Sequence, residues 1–153
     1  MTAQRSKNPA LTVDLIVQKG SQLLAVKRKN EPFKGYLSLP GGFVDEGERV
    51  EDAAKREVKE ETSLDVQINA ILGVYSDPNR DPRAHTASVV FIGVVSENHM
   101  TEALAKDDAE EVEWLDLDGI ENKRFGFDHK QILLDYKAWT KSNGTFWSSK
   151  TRI

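Results

Sequence analysis

The sequence predicts an α/β fold in which helices pack on the faces of a mixed β-sheet. Three observations carry that expectation. Hydrophobic periodicity runs strand, strand, helix, several strands, helix along the chain. A near-continuous apolar run at residues 87–96 has the length and character of a central strand buried on both faces. A chain of 153 residues, 39% of them apolar and 30% charged, suits one globular domain around a single core and not a disordered chain.

The elements follow in order. Residues 11–17 and 23–28 are apolar runs rich in β-branched side chains, and the stretch between them carries Gly20, which reads as a hairpin turn. Residues 30–35 form a turn-rich loop, and 36–39 a short extended segment ending at Pro40, Gly41 and Gly42. Between 49 and 62, Val50, Ala53, Ala54 and Val58 recur at three- and four-residue steps with charged residues elsewhere, the pattern of an amphipathic helix. Residues 66–75 hold one or two strands, 76–86 a polar loop with two Asp-Pro steps, and 97–109 a polar connection. A strand containing Trp114 spans 112–117. A second helix spans 128–140, with Ile132, Leu133, Tyr136 and Trp139 on one side. The domain covers 1–153, with 1–9 and 142–153 expected as peripheral tails; the tryptophans suit a core or an interface equally.

Composition removes several function classes. The balance of 21 basic and 25 acidic side chains, a net charge of −4, argues against non-specific nucleic-acid binding. The absence of cysteine excludes thiol catalysis, disulfides and cysteine-ligated zinc. No apolar run is long enough to span a bilayer, and the first residues lack the apolar stretch of a secretion signal. The expectation is a cytoplasmic protein, without a membrane partner, whose chemistry uses oxygen and nitrogen ligands.

The first helix carries the strongest chemical signal. Glu57, Glu60 and Glu61 fall within an arc of roughly 100° on a helix of 3.6 residues per turn. Glu60 and Glu61 sit in the last turn, where the helix dipole disfavours negative charge. Three carboxylates on one face repel one another unless a cation sits among them, and oxygen-only ligation favours magnesium or manganese. Magnesium keeps waters and takes substrate phosphates as further ligands, so the site suits a phosphate ester or anhydride. Upstream, Pro40, Gly41 and Gly42 allow a sharp loop whose backbone can approach a ligand, and Gly47 suits a positive φ before the helix. Glu48 is placed to fold back toward the helix, and Arg56 to hold a carboxylate by paired hydrogen bonds. Glutamate-rich helices are commonly solvated faces; the glycines, Glu48 and the Arg56–Glu57 pair set this one apart.

The segment resembles the Nudix box, G-x5-E-x7-R-E-U-x-E-E-x-G-U with U apolar. Gly42, Glu48, Arg56, Glu57, Val58, Glu60, Glu61 and Leu64 match, eight of nine defined positions over 23 residues, and the strand layout on both sides is similar to that fold. Ser63 stands where the family usually has glycine; a left-handed residue ending the helix there costs on the order of 1 kcal/mol as serine. The resemblance implies hydrolysis of a nucleoside diphosphate linked to another group. It makes Glu57, Glu60 and Glu61 ligands of Mg2+ or Mn2+, with the backbone at Gly41 alongside, Arg56 orienting the cluster and Glu48 a structural partner. The family often adds an acid from a downstream loop; Asp107, Asp108, Glu110 and Glu111 are candidates, of which Asp108 and Glu111 are preferred.

The 76–86 loop bears on substrate. Pro78 lies fourteen residues beyond Leu64, and Asp77-Pro78-x-Arg80-Asp81-Pro82-Arg83-x-His85 resembles the ADP-ribose pyrophosphatase branch. Arg80, Arg83 and His85 sit in a proline-stiffened loop and could meet phosphate or ribose oxygens. Phe33, Tyr36 and Phe43 are candidates for stacking on a base, and Arg28, at a strand end, for a phosphate. His129 is a candidate to line the site, while Asp128 suits the N-cap of the last helix. The expected activity is metal-dependent cleavage of ADP-ribose to AMP and ribose 5-phosphate. A nucleoside triphosphate pyrophosphatase and a non-catalytic nucleotide-binding regulator are the alternatives. Members of this branch are often homodimers, so a pair of chains is an expected assembly.

Overall fold

A computed structural model describes residues 7–96 and 111–152. Its elements are β1 (Ala10–Lys19), β2 (Gln22–Lys27), β3 (Leu37–Ser38), β4 (Gly41–Phe43), α1 (Val50–Thr62), β5 (Val66–Tyr75), β6 (Thr86–Val95), β7 (Glu111–Asp116), a 3₁₀ helix (Leu117–Asn122), α2 (His129–Ser142) and β8 (Phe146–Trp147). Among the described residues the strands form one mixed sheet in the order β3-β2-β1-β6-β5-β8, with β4 paired to β1 and β7 to β2. The expected α/β architecture is present, and the apolar run at 87–96 is the central strand β6. It pairs in parallel with β1 from Ala10↔Thr86 to Gln18↔Val94, and antiparallel with β5. Segment 66–75 is one strand with two register irregularities.

Strand alternation sorts the apolar side chains of β1 into two layers. Val13, Leu15 and Val17 join Ala53, Ala54 and Val58 of α1, whereas Ile16 joins Ile132, Leu133 and Tyr136 of α2. The same alternation puts Thr12 and Asp14 in the row that begins with Ile16, so this layer turns from apolar to polar toward the start of β1. Trp114 packs on the α1 layer and Trp139 on the α2 layer; Trp147 is exposed.

β1 changes partners along its length. Gln18 and Lys19 pair with β2, while Thr12, Val13 and Asp14 pair with β4. Between β2–β3 on one side and β1–β4 on the other the sheet opens into a pocket.

The C-terminal segment differs from the expected peripheral tail. β8 pairs in parallel with β5, Phe146 is buried in the core, and Arg152 reaches back to the buried Asp135 with contacts of 2.7 and 2.6 Å. Gly73 makes this possible: a Cβ there would stand 1.7 Å from the Phe146 carbonyl oxygen. A periodicity argument misses a two-residue strand, because two residues have no period.

Candidate active site

α1 ends as the serine at the family glycine position requires. Ser63 is left-handed (φ 66°, ψ 6°), and its N–H donates to Lys59 O. Gly47 has φ 82° and leads into the helix, as expected. Arg56 is the hub of the acidic wall. Its Nε donates to Glu48 Oε2 at 2.8 Å, Nη1 to Glu57 Oε1 at 2.9 Å and to Glu60 Oε2 at 3.3 Å, and Nη2 to Phe43 O at 3.0 Å. This bidentate guanidinium and the Asp45 N–H hold the Glu48 carboxyl down to about 2. Burial raises Glu57 above the ordinary carboxylate range, with Arg56 opposing. Gly42 lets that carboxylate lie against the backbone, since a Cβ there would be 2.5 Å from Glu57 Oε1.

Glu61 is the outlier. Its Oε2 is buried and has no hydrogen-bond partner. Burial, then Glu57 and Asp14, push its carboxyl well above the usual range, against the Gly41 N–H and Arg28. An orphaned buried carboxylate oxygen beside a second carboxylate is an environment that a hard divalent cation would satisfy. Among the described residues no group of three acidic or histidine side chains is already drawn together as a cage. Glu60 explains part of this: its side chain is 56% exposed and faces Arg56. The residues present therefore fit a cation held chiefly by Glu61 and Glu57.

The pocket, about 170 Å³, is lined by Arg28, Gly41, Gly42, Phe43, Glu61, Arg80, Arg83 and His129, eight residues selected from sequence, together with Thr12, Asp14, Asp81 and Phe127, which sequence reasoning did not select. Across from Glu61 stand two guanidiniums: Arg28 and Arg83 lie 4.8 and 5.7 Å from the centre of the Phe127 ring. Burial, then repulsion by Arg83, lower the Arg28 pKa, a position that an anion would relieve. Arg83 is oriented by Asp81, with contacts of 3.1 and 2.8 Å.

Several expectations need correction. Arg80 is committed to the protein and not to a ligand: it donates to Asp128 at 3.0 and 2.8 Å and to Thr86 Oγ1 at 2.8 Å, with Asp14 3.7 Å away. Asp128 occupies the N-cap position of α2 without a side-chain cap bond, because its carboxylate is taken by Arg80. His85 lies outside the pocket, with Nε2 2.8 Å from Ser76 O. Glu111 opens β7 opposite Lys27, exposed and off the pocket lining. Asp107, Asp108 and Glu110 lie outside the described residues. Phe33 packs edge-on against Phe127, with ring centres 4.9 Å apart, and Tyr36 is 5.7 Å from Phe33.

Asp14 is the residue most plainly missed. It accepts from Ser88 Oγ at 2.6 Å and lies 3.5 Å from His129 Nε2. His129 Nδ1 accepts the Leu39 N–H at 2.9 Å, so in the neutral ring the proton sits on Nε2, toward Asp14. The signal was there: one carboxylate inside an otherwise apolar strand is rarely buried without a purpose.

The pocket thus joins an acidic wall with an unsatisfied oxygen to a basic wall, the arrangement of a site for metal-assisted phosphoanhydride chemistry. The NUDIX domain family model matches residues 8–136, and the chain belongs to that family. It is 49% identical over 132 residues to an ADP-ribose pyrophosphatase of Methanocaldococcus jannaschii, covering 86% of this chain and 75% of that one. The NUDIX domain of Shewanella oneidensis NrtR, solved with ADP ribose, matches with a TM-score of 0.75 at 26% identity over 88% of this chain and 90% of that one. A bifunctional NMN adenylyltransferase/ADP ribose pyrophosphatase from Francisella tularensis, solved with AMP and a manganese ion, matches with a TM-score of 0.75 at 31% identity, over 92% of this chain and 44% of its own. Among the described residues no helix is long and apolar enough to cross a membrane.

Proposed function

We propose that this chain hydrolyses ADP-ribose to AMP and ribose 5-phosphate with Mg2+, for which Mn2+ substitutes. The observation that carries the reading is the orphaned Glu61 Oε2 facing the Arg28–Arg83 pair across one pocket. Similarity to the M. jannaschii ADP-ribose pyrophosphatase supports the choice of substrate. Glu57 and Glu61 hold the cation, with the Gly41 backbone beside them, and Arg56 keeps Glu57 and Glu60 in place. When bound, the cation neutralises phosphate oxygens and acidifies a water. Arg28 and Arg83 meet the remaining phosphate charge; both lie over the Phe127 ring, and Asp81 orients Arg83. Of the downstream acids, Asp108 remains the candidate base, since Glu111 does not line the pocket. The complete acidic set on α1 favours catalysis over a purely regulatory role.

A panel of ADP-ribose, NADH, dinucleoside polyphosphates and modified dNTPs, run with Mg2+, Mn2+ and chelator, tests this reading. ADP-ribose is expected to be the preferred substrate, yielding AMP and ribose 5-phosphate only with metal. Glu57→Gln and Glu61→Gln are expected to lower kcat by about 10²-fold or more while the protein stays folded. Faster turnover of dNTPs with pyrophosphate release would replace the reading with that of a nucleotide pyrophosphatase.

A further inference from the structure

Arg83 reaches the pocket on the loop that joins β5 to β6. It forms one unit with Asp81, whose carboxylate accepts from the Arg83 N–H at 2.9 Å and from its guanidinium at 3.1 and 2.8 Å. Both residues ride on the same loop, so this pairing fixes Arg83 relative to Asp81 and not relative to the pocket. The loop's own anchors set that second relation. At the loop's exit, the Ala10 N–H donates to His85 O at 3.1 Å, and Thr86 begins β6. In its middle, Arg80 is tied to Asp128. Its entry lies past the last paired residue of β5, Tyr75, and is held from the far end of the chain.

Ser148, just beyond β8, supplies that anchor. Its Oγ accepts the N–H groups of Ser76 at 2.8 Å and Asp77 at 3.1 Å, contacts that span 72 and 71 positions. Asp77 in turn organises the turn that follows: its carboxylate accepts the Asn79 N–H at 2.8 Å, and its carbonyl the Arg80 N–H at 3.0 Å. Arg152 keeps Ser148 in place. It donates to the carbonyls of Trp147 at 3.2 Å, Ser148 at 3.3 Å and Lys150 at 2.9 Å, while pairing with the buried Asp135 of α2. Asp135 also accepts the Tyr75 hydroxyl at 2.6 Å, at the residue where β5 ends and the loop begins. Two consecutive loop N–H groups and the side chain before them are thus held by Ser148 and Asp135. Phe146 already packs β8 on the core, so the sheet edge does not depend on the Ser148 hydroxyl.

We propose that Ser148, braced by Arg152, is a positioning residue that sets the arginine loop and, through it, the reach of Arg83 into the pocket. The inference rests on the phosphate contact proposed above for Arg83. Neither Ser148 nor Arg152 lines that pocket, so both act only through the loop. Loss of the Ser148 hydroxyl leaves two N–H groups without their acceptor and loosens the turn from Asp77 to Arg80, while Phe146 still holds β8. A displaced Arg83 weakens substrate and transition state alike, which raises KM and leaves kcat.

Amide hydrogen exchange and steady-state kinetics on the full chain test the assignment. In Ser148→Ala, the Arg80 and Arg83 amides, which donate to Asp77 and Asp81 and not to Ser148, are expected to exchange about tenfold faster. KM for ADP-ribose should rise about three- to tenfold, with kcat within about twofold of the parent. Ser148→Thr keeps the hydroxyl and should restore both readings. In an Arg83→Met background, Ser148→Ala should change KM by less than about twofold, because the two residues act through one contact. A general loss of packing would instead raise KM equally in both backgrounds. Unchanged exchange at both amides, an equal rise of KM in the two backgrounds, or no rescue by Ser148→Thr overturns the positioning role. Hydrolysis of ADP-ribose by the parent, measured on the same preparation, separates the two ideas. Turnover with unchanged KM in Ser148→Ala rejects only the positioning role. Absent turnover with faster exchange in Ser148→Ala rejects only the hydrolase reading.

Discussion

The two walls of the main pocket are built in opposite ways. The acidic wall comes from one contiguous stretch, Gly41 to Glu61, in which a glycine turn and a helix bring carboxylates together through local geometry. The basic and aromatic wall draws Arg28, Asp81, Arg83, Phe127 and His129 from the end of β2, the β5–β6 loop and the entry to α2. Beneath it, Asp14, Ser88, Arg80 and Asp128 form a buried network whose members lie up to 114 residues apart, from position 14 to position 128. The acidic wall leaves an oxygen unsatisfied; the other wall satisfies its buried charges and sets Arg28 and Arg83 on the pocket lining, Arg83 oriented by Asp81. A site can thus keep its reactive groups underpaired only where neighbouring groups hold the frame.

Breaking the frame should have the largest effect. Arg80→Met leaves Asp128 and the buried Asp14 without their cation and is expected to destabilise by about 3–5 kcal/mol. Arg83→Met, at a half-exposed position, should change stability by less than about 1 kcal/mol and raise KM instead. Denaturant melts and steady-state kinetics on the pair decide this, and equal destabilisation would erase the distinction between frame and ligand contacts. On the acidic wall the sign should reverse. Glu61→Gln removes a buried carboxylate that is crowded by Glu57 and Asp14 and has one oxygen unsatisfied, and is expected to stabilise the metal-free protein by about 1–2 kcal/mol. Added Mn2+ should raise the Tm of the parent and not of the variant.

Two smaller effects sharpen the same contrast. Ser63→Gly relieves a left-handed serine that does not line the pocket and should add about 1 kcal/mol or less to stability, with kcat unchanged. Glu48 gives the smallest, a matter of slope. Its carboxyl sits near 2 in the folded protein, below the ordinary 4.5, so its contribution is complete above about 4.5 and is lost as pH falls toward 2. Thermal melts across that window should fall more steeply for the parent than for Glu48→Gln.

What could be read in advance follows from distance along the chain. The helix of α1, its glycine turn, the left-handed Ser63 and the Arg56–Glu48 pair all depend on residues within about one or two turns or one loop. The residues misjudged were those whose partners lie elsewhere. Arg80 read as a ligand-facing arginine because Asp128 is 48 positions away, and Asp128, although it stands at the expected N-cap of α2, gives its carboxylate to Arg80 for the same reason. His85 read as a site residue from its place in a motif, but the turn of its loop sends it to Ser76 O. Phe127 carried no sequence signal, since a left-handed backbone at an aromatic residue is imposed by its surroundings.

By itself the sequence determined the α/β class, the central strand, the acidic helix and the family to which the chain belongs. These rest on periodicity and on spacing within one helix and one loop, where covalent geometry leaves little choice. Only the tertiary structure decided where the pocket opens, which arginines face it and that the last strand joins the edge of the sheet. Those depend on β1 exchanging β2 for β4 and on charges meeting across long loops, and such pairings follow from the packing of the whole sheet.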